Sequence, residues 1–164
     1  MQSDASRERF EALYRDQAGR LLLMLMRLTG SREDGEDLTQ ETFVRGWRAW
    51  SSFRSSSQPS TWIHTIAMRA FADWCRASAR RTLDDAQEVD VVFCETIAAI
   101  LPGTDRDLEE AIGRLPSQMR HAVVLHYLEG MPVECVAKQL GKSSGTIKAQ
   151  LFTARSRLRE ALKP

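Results

Sequence analysis

Apolar residues recur along this chain at three- and four-residue intervals, and no segment keeps the strict alternation of a half-buried strand. Phe10, Leu13, Ala18, Leu21, Leu22, Leu25 and Leu28 predict a first helix over about residues 6–28. Gly30 stops it, because glycine accepts the left-handed conformation that follows a helix C-terminus. Ser31, with Asp34 three residues on, is a capping pattern for a second helix reaching about Trp50. The next stretch, Ser-Ser-Phe-Arg-Ser-Ser-Ser-Gln-Pro-Ser, carries turn chemistry instead of helical periodicity. A third helix is expected from about Ser60 to Arg80. It would bury Trp62, Ile63, Ile66, Ala67, Ala70, Trp74 and Ala77 and leave Thr61, Thr65, Met68, Arg69, Ala72 and Arg76 open. Residues 83–101 mix acids with Val89, Val91, Val92, Phe93 and Ile97 and specify no firm element. Beyond Pro102-Gly103 the spacing predicts helices over 105–114, 116–129, 132–140 and 144–162. The fold class is all-α.

Charge divides this helical chain. Its net charge is +1 over 164 residues. Residues 1–82 hold 13 basic against 10 acidic side chains, 83–107 hold 1 against 7, and 108–164 hold 9 against 5. The pattern is two small helical domains, 1–82 and 108–164, joined by an acidic linker, 83–107. Each basic unit suits a polyanion without the whole chain being basic. A hydrophobic content of 43% is enough for a packed core.

Several function classes drop out. The apolar run Leu21 to Met26 is far too short to span a bilayer, and Met1 to Arg9 is polar, without the apolar stretch of a signal peptide. The expectation is a cytoplasmic protein with no membrane insertion. Cys75, Cys94 and Cys135 are odd in number and far apart, and His64, His121 and His126 are scattered. No ligand spacing links them, so no metal, cofactor or disulfide framework is expected. The thiols read as small hydrophobes more readily than as redox sensors. No phosphate-binding glycine loop and no nucleophile–base pattern is present, so no catalytic residue is expected.

The most informative stretch is the last. Val133, Val136, Ala137 and Leu140 line one face of a short helix, Gly141 follows it, and Ser143 or Ser144 caps the next. Ile147, Leu151, Ala154, Leu158 and Leu162 form the inner face of that second helix. Two helices so joined match a DNA-binding helix-turn-helix. The outer face carries Ala149, Phe152, Thr153 and Ser156, flanked by Lys148, Arg155 and Arg159 on one side and Gln150 and Arg157 on the other. Phe and Ala can touch a thymine methyl, Thr and Gln can hydrogen-bond base edges, and Lys and Arg can hold phosphate.

Two further faces are open to more than one reading. The second helix places Asp34, Asp37, Glu41, Arg45 and Arg48 along one stripe, with Leu38 expected to project, exposed, beside Asp37 and Glu41. That suits a partner bearing cations around an apolar spot, and equally a solvated charged face. The open face of the third helix, with Phe53 and Arg54 from the serine loop, suits unstacked single-stranded DNA. It also suits a structural helix with cations near its C-terminus.

Taken together these segments resemble the extracytoplasmic-function (ECF) group of bacterial sigma factors. The resemblance is carried by Phe10-Glu11-Ala12-Leu13-Tyr14, by Glu36-Asp37-Leu38-Thr39-Gln40-Glu41-Thr42-Phe43, and by Trp62-Ile63-His64-Thr65-Ile66-Ala67. Leu115-Pro116, Leu128-Glu129-Gly130 and Gly145-Thr146-Ile147-Lys148 continue it in the family's order. It implies that Asp37, Leu38, Gln40 and Glu41 bind the clamp helices of the RNA polymerase β′ subunit. It implies that Phe53, Arg54, Ser55, Ser56, Ser57, Thr61, Trp62, Thr65 and Arg69 read the −10 promoter element as single strand. Ser144, Thr146, Lys148, Ala149, Gln150, Phe152, Thr153 and Arg155 would meet the −35 element as duplex. RNA polymerase core, promoter DNA and an anti-sigma factor are the implied partners. The alternative is a stand-alone helix-turn-helix regulator, which would not need the Asp37–Glu41 surface. The chain departs from the family at Ala149-Gln150 and Thr153, where cations are usual. It departs at Met68 and Arg69, where Arg and Asn are usual, and at Gly35, Thr39 and Gly46, where Ala or Val is more usual; the two glycines are expected to weaken the second helix.

Overall fold

The computed structural model describes residues 4–79, Ile97 and 103–164. Every regular element among them is helical: α1 Asp4–Thr29, α2 Arg32–Ala49, a 3₁₀ turn Trp50–Ser52, and α3 Pro59–Ala79. Then come α4 Arg106–Gly113, α5 Ser117–Val123 running into a π turn Val124–Leu128, α6 Val133–Leu140 and α7 Ser144–Ala161. The all-α expectation is met. Arg80, Cys94 and all of the acidic segment up to Pro102 except Ile97 lie outside the described residues.

Local chemistry sets the helix ends. Ser31 accepts a hydrogen bond from the Asp34 amide at 3.2 Å, Asp105 from the Asp107 and Leu108 amides at 3.0 and 3.2 Å, and Ser143 from the Thr146 amide at 3.1 Å. Each occupies amides that the first helical turn leaves without an internal acceptor. Gly141 closes α6 at φ 64°. The Lys142 amide then returns to the Ala137 carbonyl at 2.9 Å and the Gly141 amide to Lys138, the two bonds of a Schellman turn. The single helix expected over 116–129 is not regular throughout. From Val124 it widens, with the Glu129 amide reaching back five residues to the Val124 carbonyl at 2.9 Å.

α1 and α2 form an antiparallel hairpin against which α3 packs. The glycines of α2 have a purpose the periodicity did not show. A Cβ on Gly35 would lie 2.9 Å from both the backbone N and the Cα of Met26, so α2 rests on the α1 main chain there. A Cβ on Gly46 would lie 2.7 Å from Ile63 Cδ1 on α3. The propensity lost at these positions is exchanged for closer helix packing.

The two helical groups share one continuous core. Leu21, Leu25, Leu28, Ile63, Ala67 and Phe71 of the first half join Ile112, Leu115, Val124, Leu125, Val136 and Ile147 of the second. That contact explains a departure from the sequence reading and the burial of a residue that reading did not place. Met68, expected on the open face of α3, is buried, and Phe71 joins the core. α6 covers this part of α3, with the Gln139 side chain donating to the Met68 carbonyl at 3.4 Å, and His121 meets Phe71 edge-on at 5.0 Å.

The junction is also ionic. Arg27 of α1 and Glu109 of α4 form a two-point pair, Nε to Oε2 at 3.1 Å and Nη2 to Oε1, with side-chain exposures of 9% and 4%. Arg120 of α5 donates to the Thr29 carbonyl at 3.4 Å and also to the carbonyls of Gly113 and Leu115. Ile97 is buried beside Met26, with Leu22 and Leu23 packed against it.

Candidate nucleic-acid interface

α7 presents the outer face that the spacing required. Ile147, Leu151 and Ala154 are buried against the rest of the fold, while Lys148, Ala149, Thr153, Arg155 and Ser156 are exposed. Phe152 stands 73% exposed among them, more than any other large hydrophobic side chain among the described residues. An aromatic ring held that far into water, between cations, is a surface suited to a base edge and its flanking phosphates. Thr146 is exposed at the helix start and its hydroxyl lies 2.8 Å from that of Ser143, while Ser144 is half-buried. Gln150 departs from its expected place. It is half-buried, and its amide donates to Gln118 Oε1 on α5 at 3.1 Å. It reaches a base only by leaving that partner.

The serine loop and the start of α3 make a second candidate surface. Trp50 and Phe53 stack with ring centroids 5.1 Å apart and planes within 5°, and Trp62 lies tilted against both at 5.6 and 5.0 Å. Beside this cluster is a cleft of about 350 Å³ lined by Arg9, Phe53, Ser55, Ser56, Ser57, Gln58 and Pro59. Hydroxyls, an amide and a ring edge around a cleft of that size suit a single unstacked base. Thr61, Thr65 and Arg69 continue the exposed face along α3, while Arg54 stands exposed on the loop outside the cleft lining. Arg9 of α1 is a wall residue that sequence reasoning missed. Nothing in the spacing of α1 ties it to a loop more than forty positions away. The tie is made by the Trp50 indole, which donates to the Ser6 carbonyl at 2.9 Å.

The third surface needs a correction. Leu38 is not exposed. It is 4% accessible and belongs to the core, because α1 and α3 both pack on α2 and so bury more of its circumference than one stripe. Asp37, Gln40 and Glu41 are exposed as expected. The apolar element of this face is Val44, 49% exposed, with Trp47 one turn on, instead of Leu38. The carboxylates are not equivalent. Glu41 accepts two bonds from Arg45, which also pairs with Asp73 of α3 at 2.8 Å. Asp73, bonded by Arg45 and close to Arg76, is held below the usual carboxylate range, and Arg45 is correspondingly raised. No cation pairs with Asp37 among the described residues.

The remaining titratable groups read as structural. Burial, and secondarily the Arg20 charge, lowers His64, so its 3.9 Å approach to Glu129 is not an ion pair at neutral pH. Burial raises Glu129 against the nearby charges of Arg27 and Arg20. Burial, followed by the adjacent Arg120 charge, pushes His121 down to about 4, with a hydrogen bond to the Leu28 backbone working the other way. The Cys75 thiol is pushed up to about 11 by burial, which leaves it protonated and unreactive at neutral pH. Among the described residues no group of histidines, cysteines and carboxylates could hold a metal ion, and no helix is long and apolar enough to cross a membrane.

Residues 13–81 match the sigma-70 region 2 family and residues 105–158 match the sigma-70 region 4 family. The chain is 32% identical to the ECF RNA polymerase sigma factor SigE of Mycolicibacterium smegmatis, over 93% of this chain and 61% of that one, so it spans less than two thirds of that relative. It is 33% identical to the ECF RNA polymerase sigma factor SigM of Mycobacterium tuberculosis, over 93% of this chain and 76% of that one. It is 26% identical to the RNA polymerase sigma-H factor of Pseudomonas aeruginosa, over 94% and 86%. Among solved structures its fold is similar to the sigma factor RpoE of Bartonella quintana, crystallised with the anti-sigma factor NepR. That match has a TM-score of 0.62 at 24% identity and covers 94% of this chain and 97% of that one. With both sigma-70 regions matched in order, and SigM similar over nearly the whole chain, the protein belongs to the ECF group of RNA polymerase sigma factors.

Proposed function

We infer that this chain is a dissociable subunit that gives RNA polymerase its promoter specificity. The exposed face of α2 docks on the core enzyme, the loop before α3 reads the −10 element as single strand, and α7 reads the −35 element as duplex. The observation that carries this reading is Phe152, 73% exposed between cations on the second helix of a capped helix-turn-helix. The aromatic-walled cleft beside Phe53 supports the second role, since every base has a face to stack. On α2 the core-binding set becomes Asp37, Gln40 and Glu41 with Val44 and Trp47 as its apolar part. Leu38 supports the surface from beneath.

Among the described residues no cation pairs with Asp37, and it is the member best placed to pair with one on the polymerase. Glu41 must share or exchange Arg45 to do the same. The chain itself performs no chemistry in this scheme, and it works where polymerase works, in the cytoplasm. An anti-sigma protein is its second protein partner, as for the Bartonella RpoE.

Run-off transcription with purified bacterial core polymerase on a genomic DNA pool tests the reading. Discrete start sites sharing a pair of upstream elements are expected. Transcription no greater than with core alone would refute it. Asp37→Arg should abolish association with core while leaving the helical circular-dichroism signal intact. Normal association by that variant would remove α2 from the interface.

A further inference from the structure

The cleft beside Phe53 has one charged wall, and it comes from another element. Arg9 lies on α1, yet its guanidinium carbon sits 6.0 Å from the centre of the Trp50 ring and the residue lines the cleft with Ser55, Ser56 and Gln58. Among the described residues nothing hydrogen-bonds to Arg9 or pairs with its charge. Its position is nonetheless fixed from both sides. Three residues earlier, the Ser6 carbonyl accepts the Trp50 indole N–H at 2.9 Å. The next residue, Phe10, is buried with its ring 5.3 Å from Trp50 and 5.1 Å from Trp47. The first turns of α1 are thus clamped to the turn that leads into the serine loop. Arg9 keeps an open guanidinium at the mouth of the cleft.

We propose that Arg9 selects the base that enters this cleft, favouring guanine and cytosine over adenine and thymine. The inference rests on the reading of the cleft as a site for one unstacked base of the −10 element. A guanidinium is a planar fork of donors with no acceptor. It is satisfied best by two acceptors on one edge of a base. Guanine offers O6 and N7 side by side, and cytosine offers O2 and N3. The edges of adenine and thymine alternate donor and acceptor, so one arm of the fork meets a donor. The stack of Trp50 under Arg9 strengthens the selection, because a guanidinium lying over an aromatic face is restricted in direction. The neutral hydroxyls and the amide on the other walls can satisfy any base.

The test uses holoenzyme assembled from the full chain and bacterial core polymerase. Each position of the −10 non-template strand is set to all four bases in turn. Binding of the labelled single strand and run-off yield are both measured. At one position the wild-type complex should prefer guanine or cytosine over adenine by roughly 5- to 150-fold, the range for a two-point base contact. Arg9→Ala should collapse that ratio at that position and leave the others unchanged. Arg9→Lys should collapse it too while keeping most of the overall affinity, because a lysine holds charge without the fork.

Two results overturn the assignment. If Arg9→Ala weakens all four bases equally and flattens the salt dependence, Arg9 is a phosphate contact. If Arg9→Ala leaves the preference intact, another group makes the choice. A wild-type complex indifferent to base at every −10 position, or a Phe53→Ala variant that keeps the preference, brings down the cleft reading and this inference with it.

Discussion

The Arg27–Glu109 pair is the sharpest test of how the two helical groups are held together. Its side chains are 9% and 4% exposed, so both charges have left water, and the two-point contact is the main compensation. Removing one partner strands the other in a dry site. The expected cost of Arg27→Met or Glu109→Leu alone is about 3–5 kcal/mol. Replacing both with apolar residues of similar volume removes the desolvation penalty together with the attraction, so the double variant should be near wild type or up to a few kcal/mol more stable. The pair joins α1 to α4, so the loss in either single variant has two outlets: unfolding of the chain, or separation of the groups. Urea denaturation measures the first and small-angle scattering the second. A folded chain of this length has an expected radius of gyration of about 15 Å. Each single variant should either lose stability by the stated amount or expand by several ångströms, and the double variant should do neither. The reasoning fails if a single variant changes neither quantity. It fails equally if the double variant is as damaged as the sum of the singles, since the side chains would then be contributing separately and not as a pair.

His121 makes stability depend on pH. Its folded value is depressed to about 4 while the unfolded chain titrates near the ordinary 6.5. Between those values the unfolded state binds the proton and the folded state does not, so stability is full above about 6.5 and falls on acidification. The loss to pH 4 from this group is roughly 3 kcal/mol. His121→Phe, which keeps a ring against Phe71, should flatten that part of the profile, and an unaltered slope in the variant would contradict the assignment. Gly35→Ala should lower the melting temperature by a few degrees. Its Cβ meets the Met26 main chain, and the strain of about 1–3 kcal/mol outweighs the gain of about 1 kcal/mol in helix propensity. A rise in melting temperature would show that α1 and α2 are not in such close contact. Phe152→Ala with Lys148→Ala should leave stability within about 0.5 kcal/mol, because both side chains are exposed. The same double change should reduce run-off from a promoter with a −35 element, and unchanged run-off would take the role from α7.

What was legible in the sequence was whatever depends on one helix at a time. The α7 face follows from periodicity and a cap, and both lie within a short stretch of chain, so Phe152 and its neighbours stand where spacing puts them. Leu38 and Met68 were misplaced for a common reason. Each lies on a helix covered by more than one neighbour, and an amphipathic stripe drawn for a single buried face undercounts such a helix. Gln150 went the same way on a smaller scale, through one hydrogen bond to α5. The π turn after Val123 leaves no signature in a pattern of apolar residues, because the widening is set by main-chain bonding. Arg9 was invisible because its role arises from the Ser6–Trp50 hydrogen bond, which joins positions 44 residues apart.

The composition of the junction says something about what it is for. Within each helical group, aliphatic and aromatic packing, as in the Phe10, Phe43 and Trp50 cluster, stands beside polar contacts such as Arg45–Asp73 and Gln150–Gln118. Between the groups, apolar packing is accompanied by the Arg27–Glu109 pair and the Arg120 bonds to Thr29. The His121 approach to Leu28 and Phe71, the Gln139 bond to Met68 and the 3.9 Å approach of His64 to Glu129 lie there as well. Charged and amide groups regain water when such a surface is parted, so its opening costs less than its area of contact suggests. The same junction carries the continuous apolar core of Leu25, Phe71, Leu125 and Val136, so parting it would expose apolar surface as well. In the proposed reading the loop before α3 meets a single strand and α7 a duplex while α2 holds the polymerase, so both readers engage one promoter. α7 also carries the uncharged Ala149, Gln150 and Thr153 along its recognition segment. If α7 is the −35 reader as proposed, its hold on isolated duplex should be weak and the polymerase should supply the rest by raising the local concentration of DNA; tight binding of the free chain to a −35 duplex would contradict this.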